Sequence, residues 1–542
     1  MKKNIGIFLA FSPNDSQSHG ISRLLSFMLP PMLQDDAIQI LIATPNWFEA
    51  STIEFMHTQK INTKKVRLLT TRRMFFLSRA MKFLLRQKTS RTNSLPSKNK
   101  RRLLFSIKKY LYNIIVFLSS IMTSVVFYPA LTLFRLAKSA NRKIQNLLIN
   151  YRFTRIYIAP LMRPWLHFIR RNIVNIYRKT GKILKSYPAS KILLSPLSEF
   201  KRSFFVRATY TELRTRELNR LIHIINSRPD ISVWFIPALF WPEVKAIKAK
   251  KIIAVPDIVS IDFPKFFSDH LSVKTYERVK ESVFAADHFI CYSDYVKQKH
   301  LVENFSVDSK KITIIPHAHV ELNQHTHSRQ QSIQILSDYQ KRELTQNPYL
   351  SDFNLSGMRF IFYSSQIRPY KNFMNLIKSY EILLRERFVN VKLIVTGNLN
   401  SDPDLYQYIL DRRLQFDVLS FYNVSPEVLA ALYQLAICAV NPTLFEGGFP
   451  FTFTEAYSVG TPSVMSAIPV VTSHVKDENL KQQMLFDPYD LEDMANKIEW
   501  AVKNHERLFE LQAPLYQTFK QRSWELVAKE YINLLTDFSY VK

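Results

Sequence analysis

The chain has 542 residues, with 74 Lys and Arg against 44 Asp and Glu and a formal net charge of +30. That length suits two or three domains. Its only two cysteines, Cys291 and Cys438, lie in apolar surroundings, which excludes a disulfide scaffold and reads as reduced core thiols in a cytosolic compartment. The positive charge comes without a helix-turn-helix, zinc-finger or aromatic RNA-platform pattern, which argues against a nucleic-acid partner.

Residues 4–11 read as a first buried strand. Lys2 and Lys3 precede it, but the apolar run is minimal and no small-residue cleavage site follows, so a strand fits better than a signal peptide. A polar loop containing His19 and Gly20 comes next, then an apolar-periodic helix over 21–32. From 55 to 198 there is no Asp or Glu at all, against 31 Lys and Arg. Outside that block 43 basic residues meet 44 acidic ones, so the net charge of the whole protein belongs to one inserted segment. Within it, residues 110–134 carry no charge, long enough for a helix that spans a bilayer, which needs about 20 apolar residues. A single crossing would split the strands on either side of the block between two compartments. A re-entrant hairpin near Pro129 or helices lying in the interface satisfy the topology. Residues 152–185, mixing Tyr157, Trp165 and Phe168 with spaced Arg and Lys, have the composition of interfacial helices. The alternative is a helix buried in the protein or in an oligomer contact. No internal repeat is present.

Further on, Asp257 and Asp262 follow an apolar run and are candidates to orient a second substrate; capping or turn roles fit them equally well. His317 and His319 sit two apart in a loop with no further ligands at metal-binding spacing, so no metal is expected. Residues 328–357 are polar, lack a strong period and read as a linker.

The most informative stretch is 441–462, NPTLFEGGFPFTFTEAYSVGTP. The chain has only 8 glycines, and two of them, Gly447 and Gly448, stand side by side here. Adjacent glycines in so glycine-poor a chain mark backbone that turns sharply or meets a ligand closely. The apolar run 435–440 reads as a buried parallel strand, and 452–459 as a helix closed by Gly460 and Pro462. Free N–H groups near a helix start suit phosphate or sugar hydroxyls, and the flanking carboxylates of Glu446 and Glu455 accept hydrogen bonds from hydroxyls. A nucleotide-sugar has both features.

This stretch resembles the E-x7-E signature of glycosyltransferase family 4, the retaining nucleotide-sugar enzymes of GT-B fold. Further similarities follow in the family's order: 233–242, 254–264 and 290–297 in the first half, then 360–372 as its phosphate-binding strand and loop, 391–398 as the next strand, 424–436 as the helix before the signature, and 485–498 and 523–535 as its last helices. The resemblance covers nearly everything except about 72–200. Two departures are visible. Eight residues, not seven, separate Glu446 from Glu455, and the family's usual Arg in the phosphate loop aligns with Gln366, while Arg368 lies two residues later.

The resemblance implies an α/β, GT-B architecture of two Rossmann-like domains facing a central cleft. Residues 1–335 would form the acceptor-side domain, interrupted by a basic, membrane-associated helical insertion at 72–200. Residues 336–515 would bind the nucleotide-sugar, and 516–542 would form a helix crossing back to the first domain. It implies that Glu446 meets the donor sugar, Glu455 the ribose, and Arg368 and Lys371 the diphosphate. Gly20, Gly397, Gly447, Gly448 and Phe449 would approach the donor, and Asp257 and Asp262 the acceptor. The family often has a His near the reacting sugar; 254–257 is one such place and contains none. The implied activity is retaining, metal-independent hexosyl transfer from a nucleotide-diphosphate-sugar, with no cofactor, to a lipid-linked or envelope polysaccharide or lipopolysaccharide acceptor. The protein would sit at an anionic membrane surface, peripheral or monotopic on the inner face of the cytoplasmic membrane. A nucleotide-sugar epimerase and an inactive scaffold of the same fold are the rival readings.

Overall fold

The computed structural model describes residues 3–13, 20–71, 199–268, 270–325, 328–343 and 357–540. Within them, strands form two wholly parallel sheets. The first orders β3 (Val66–Thr70), β2 (Ile38–Thr44), β1 (Lys3–Phe8), β4 (Val233–Ile236), β5 (Lys250–Val255), β6 (His288–Cys291) and β7 (Ile312–Ile314). The second orders β10 (Val418–Ser420), β9 (Lys392–Val395), β8 (Phe360–Tyr363), β11 (Cys438–Asn441), β12 (Ser463–Ser466) and β13 (Leu485–Phe486). Register follows the apolar runs: Ile5 faces Ile40 across β1 and β2, and Val440 faces Val464 across β11 and β12. Parallel strands are covered on both faces, which is why they read as continuous apolar segments and not as alternating ones.

Helices cover these sheets through stripes at helical spacing. Helix Gly20–Met32 buries Leu24, Leu25, Met28, Leu29 and Met32, with Pro30 and Pro31 confined to its end. Helix Phe373–Arg385 buries Leu376, Ile377, Tyr380 and Leu383. Side-chain caps set several starts: Ser425 accepts from the Val428 N–H and Asp490 from the Glu492 and Asp493 N–H groups. Such caps are worth about 1 kcal/mol each. Gly6 on β1 is a close approach, since a Cβ there would sit 2.5 Å from the Trp234 ring of β4.

The strand of the signature region starts later than the apolar run suggests. Leu435 ends helix Pro426–Leu435, and only Cys438–Asn441 pair as β11. The polar stretch read as a linker holds helix Arg329–Glu343. Its Leu336 and Tyr339 are buried with Phe360, Phe362 and Phe421 of the second sheet, and Ser332 donates to Gln434 Oε1 at 2.8 Å. The buried stripe of Ser332, Leu336 and Tyr339, with Ile333 and Ile335 partly buried beside it, is set among polar residues and carries too little apolar periodicity to be read from sequence.

The chain end divides between the two cores. Helix His505–Lys520 places Leu508, Leu515 and Tyr516 in the second. Helix Trp524–Tyr540 places Val527, Ala528, Tyr531 and Leu535 in the first, among Ile5, Phe235 and Ile290. Full burial of a Val or Leu side chain is worth about 1.5–3 kcal/mol, which fixes this last helix to the first sheet. Both sheets belong to one compact unit formed by Met1–Arg72 and Asn219–Lys542. No described helix is long and apolar enough to cross a membrane; the uncharged run 110–134 and the basic segment 152–185 lie outside the described residues.

Candidate active site

Ligands of open parallel sheets sit beyond the carboxyl ends of the strands, where strand order reverses. In the second sheet that reversal falls between β8 and β11; in the first it falls between β1 and β4. The loops leaving β8 and β11 are stitched together, since Leu444 N–H donates to the Tyr370 carbonyl at 2.8 Å. They meet the loops that leave β5, β6 and β7.

The glycine pair is explained by that meeting. A Cβ on Gly447 would lie 1.8 Å from the Pro256 carbonyl oxygen, inside its van der Waals shell. Ser293, just after β6, donates its hydroxyl to the Gly447 carbonyl at 2.8 Å. A Cβ on Gly448 would lie 3.2 Å from Tyr292 Cβ and 3.6 Å from His317 Cδ2. At Gly447 only a residue without a side chain lets the signature loop lie this close to the first domain.

Beside the pair, Lys371 donates to Glu446 Oε1, with both side chains about one-fifth exposed. Lys371 stands at the end of the Pro369–Lys371 turn. Asn372 follows in the left-handed region at φ 58°, buried, with its amide donating to the Pro488 carbonyl at 2.8 Å. This geometry aims Lys371 back across the loop before helix Phe373–Arg385 begins. Arg368, two residues after Gln366, donates to Gln366 Oε1 at 3.0 Å and to Tyr370 Oη at 3.2 Å. Two cations on one short loop, one of them on the signature carboxylate, can hold an anionic group such as a diphosphate.

Glu455 lies in helix Phe451–Ser458 with its side chain 2% exposed. Such a buried carboxylate needs a partner. Arg23, from helix Gly20–Met32 of the first domain, donates to its Oε1. The Tyr433 hydroxyl donates to Oε2 at 3.3 Å; burial, reinforced by the Glu455 charge, raises the Tyr433 hydroxyl well above its ordinary range. Arg23 also lies over the Phe451 ring, 4.9 Å from its centroid. Sequence reading missed Arg23. Its signal was a cation in the first turn of a helix, where the helix dipole disfavours one unless a carboxylate is at hand.

The two acceptor-side candidates lie close in sequence, Asp257 in the turn after β5 and Asp262 at the end of the short helix Val259–Asp262. Asp257 is half-buried, and burial raises its carboxyl above the ordinary range; the charge of Glu446 adds to that, while His300, Lys371 and Arg368 oppose it. Asp262 is held from behind by His300, which is fully buried. The His300 Nδ1 accepts from the Ile258 N–H at 3.0 Å, leaving the ring proton on Nε2, which lies 2.7 Å from Asp262 Oδ2. The Tyr295 hydroxyl donates to Asp262 Oδ1 at 2.7 Å. His300 was not singled out from sequence, because nothing local announces its long-range partners.

The remaining candidates sit as follows. Gly20 opens helix Gly20–Met32 and is exposed. Gly397 packs behind the phosphate-type loop, where a Cβ would meet Ile367 at 2.6 Å. The Phe449 side chain turns into the second domain against Phe453, His474 and Phe519. His317 is wedged against Tyr292, Phe451 and Trp524, its Nδ1 without a hydrogen-bond partner among the described residues. Burial, with Arg522 and Arg23 adding, pushes its pKa down to about 3. His319 Nδ1 lies 3.1 Å from the Arg522 carbonyl. Among the described residues no group of three or more His, Cys, Asp or Glu could hold a metal ion.

Residues 352–521 match the model of the family described as glycosyl transferases group 1. The chain is 27% identical to O-antigen chain mannosyltransferase B of Escherichia coli over 187 residues, 34% of this chain and 48% of that protein. It is 27% identical to O-antigen chain mannosyltransferase RfbU of Salmonella typhimurium over 209 residues, 38% of this chain and 50% of that protein. It therefore spans about half the length of the curated relatives it matches. A solved glycosyltransferase from Rickettsia africae aligns over 100% of both chains with a TM-score of 0.54 at 12% identity, a likeness of fold alone. That fold is GT-B: two Rossmann-like domains, each built on a parallel sheet.

Proposed function

We propose that this protein is a retaining glycosyltransferase of family 4 type. It moves a hexosyl group from a nucleotide-diphosphate-sugar to a lipid-linked or envelope glycan acceptor. The observation that carries the reading is the pairing of Lys371 with Glu446 beside Gly447 and Gly448, where the signature loop presses on the first domain. Arg368 and Lys371 hold the diphosphate, Glu446 faces the sugar, and Glu455 meets the ribose. The acceptor oxygen bonds to the anomeric carbon as the bond from that carbon to the diphosphate oxygen breaks. The diphosphate departs with the electron pair, and the acceptor proton passes to it. No protein nucleophile is required; the chain contributes positioning and charges opposed to the leaving group. The names of the curated relatives favour an O-antigen type acceptor and a mannosyl donor.

The basic block supports action at a membrane surface. Each Lys or Arg near anionic lipid is worth about 1 kcal/mol, and the block holds 31 without one acidic residue. The test is a thermal-shift screen of the full chain with GDP-, UDP- and ADP-hexoses and their free nucleoside diphosphates. One base should raise the melting temperature, and the Arg368→Ala Lys371→Ala double variant should lose that rise. A wild-type chain stabilised by none of them contradicts the reading.

A further inference from the structure

Glu455 is the carboxylate assigned above to the ribose, yet its side chain is 2% exposed. No ribose hydroxyl reaches it unless a neighbour moves. Its hydrogen-bond partners among the described residues are Arg23 and Tyr433, and they differ in freedom. Tyr433 is buried, and its ring packs edge-on against Phe362 with centroids 4.8 Å apart. The Arg23 side chain is 32% exposed and stands in the first turn of helix Gly20–Met32.

The carboxylate is fixed by its own helix, Phe451–Ser458. The Val320 N–H donates to Thr454 Oγ1 at 3.2 Å, the Leu322 N–H to Ser458 Oγ at 2.9 Å, and the Asn441 amide to Thr452 Oγ1 at 2.9 Å. Thr454, next to Glu455, is itself buried. Arg23 is therefore the partner that is free to leave. Its guanidinium lies 4.9 Å from the Phe451 centroid and 5.8 Å from that of Phe27. Aromatic faces attract a cation whatever it hydrogen-bonds, so Arg23 can turn from the carboxylate without being stranded.

We propose that Arg23 is a latch on the nucleotide site: it holds Glu455 while the site is empty and yields the carboxylate to the two hydroxyls of a ribose, so that the site selects ribonucleotides over nucleotides that lack this diol. The proposal rests on the glycosyl-transfer reading of the site. The exchange keeps the buried charge paired. A carboxylate has acceptor positions for two hydroxyls at once, and the departing guanidinium already meets solvent. A dideoxyribose offers no such replacement. It leaves Arg23 in place or strands a buried carboxylate, which is costly. The latch also weakens binding in the wild type, because a site that is open for only a fraction of the time has its affinity reduced by that fraction.

The test uses isothermal titration calorimetry on the full chain. Dissociation constants are measured for GDP, UDP and ADP and for their 2′,3′-dideoxy forms, in wild type, Arg23→Met and Arg23→Gln. Met cannot donate to Glu455; Gln still can, more weakly, and so keeps the test open should Arg23→Met unfold. Wild type should bind one ribonucleotide about tenfold more tightly than its dideoxy form, the loss expected of an unpaired buried acceptor. Arg23→Met should bind that ribonucleotide about tenfold more tightly than wild type, and Arg23→Gln about threefold, as the open fraction rises. The affinity for the dideoxy form should stay within about twofold in both variants, since it gains nothing from a freed carboxylate. Ribonucleotide affinity that is unchanged or weaker in both variants, or an equal gain for the dideoxy form, would overturn the latch and make Arg23 a static brace or a diphosphate ligand. A wild-type chain that binds ribose and dideoxyribose forms equally would instead overturn the placing of the ribose on Glu455. One that binds none of the six would overturn the glycosyl-transfer reading beneath it.

Discussion

Arg23 and Glu455 join the two domains, and their unequal burial makes the pair's behaviour calculable. The carboxylate side chain is 2% exposed and the guanidinium side chain 32%. Arg23→Met strands a charge in the interior. Breaking a buried pair from one side costs about 3–5 kcal/mol; solvent reaching the arginine end reduces this to about 2–4 kcal/mol. Glu455→Gln does the opposite. It leaves the partly hydrated guanidinium behind and keeps an oxygen that can still accept, so its cost is that of a weakened hydrogen bond, about 1 kcal/mol. The double variant should resemble Glu455→Gln alone, because no carboxylate remains to be stranded. Urea unfolding of the four proteins at pH 7 forms a double-mutant cycle, with a coupling of about 2–4 kcal/mol expected. Equal costs for the two single variants, or additivity within about 0.5 kcal/mol, would refute the reasoning.

Three further outcomes are expected. Arg368→Ala and Lys371→Ala should each lower kcat/KM for the donor, and the double variant should be nearly inactive in a nucleotide-release assay, because both charges oppose a leaving group that gains negative charge. His317 has its pKa lowered to about 3, against about 6.5 when unfolded. The unfolded chain therefore binds the extra proton between these values. Stability is full above about pH 6.5 and falls as pH drops, by up to about 1.4 kcal/mol per unit from this one group; urea melts of His317→Asn between pH 4 and 7 should show that acid limb flattened by one proton. The full chain should sediment with anionic vesicles at 0.1 M salt and release partly at 1 M, as the Debye length shrinks from about 10 Å to about 3 Å; no binding at low salt would contradict a membrane role for the basic block.

The GT-B fold was legible because its strands are buried on both faces and its loops leave them in a recognisable order. The glycine pair stood out in a glycine-poor chain, and the structure supplies the reason: the Pro256 carbonyl occupies the space a side chain at Gly447 would need. What sequence could not supply was partnership across the domains. Arg23 is 432 positions from Glu455 and Ser293 is 154 from Gly447, and no local pattern encodes such pairings. His300 was missed for the same reason, although its buried ring bonds both the Ile258 N–H and Asp262. Helix Arg329–Glu343 escaped notice because only a narrow stripe of it is buried, so its composition looks like that of a linker.

The measurement that tests the central claim most directly follows a labelled sugar from the nucleotide-sugar identified by the donor screen into a membrane acceptor fraction, with the anomeric configuration of the product read by NMR. Wild-type protein should transfer the sugar with retention. Glu446→Gln should keep its melting temperature and its nucleoside diphosphate affinity while losing most of the transfer. Inversion in the product, or transfer by Glu446→Gln at the wild-type rate, would contradict the account.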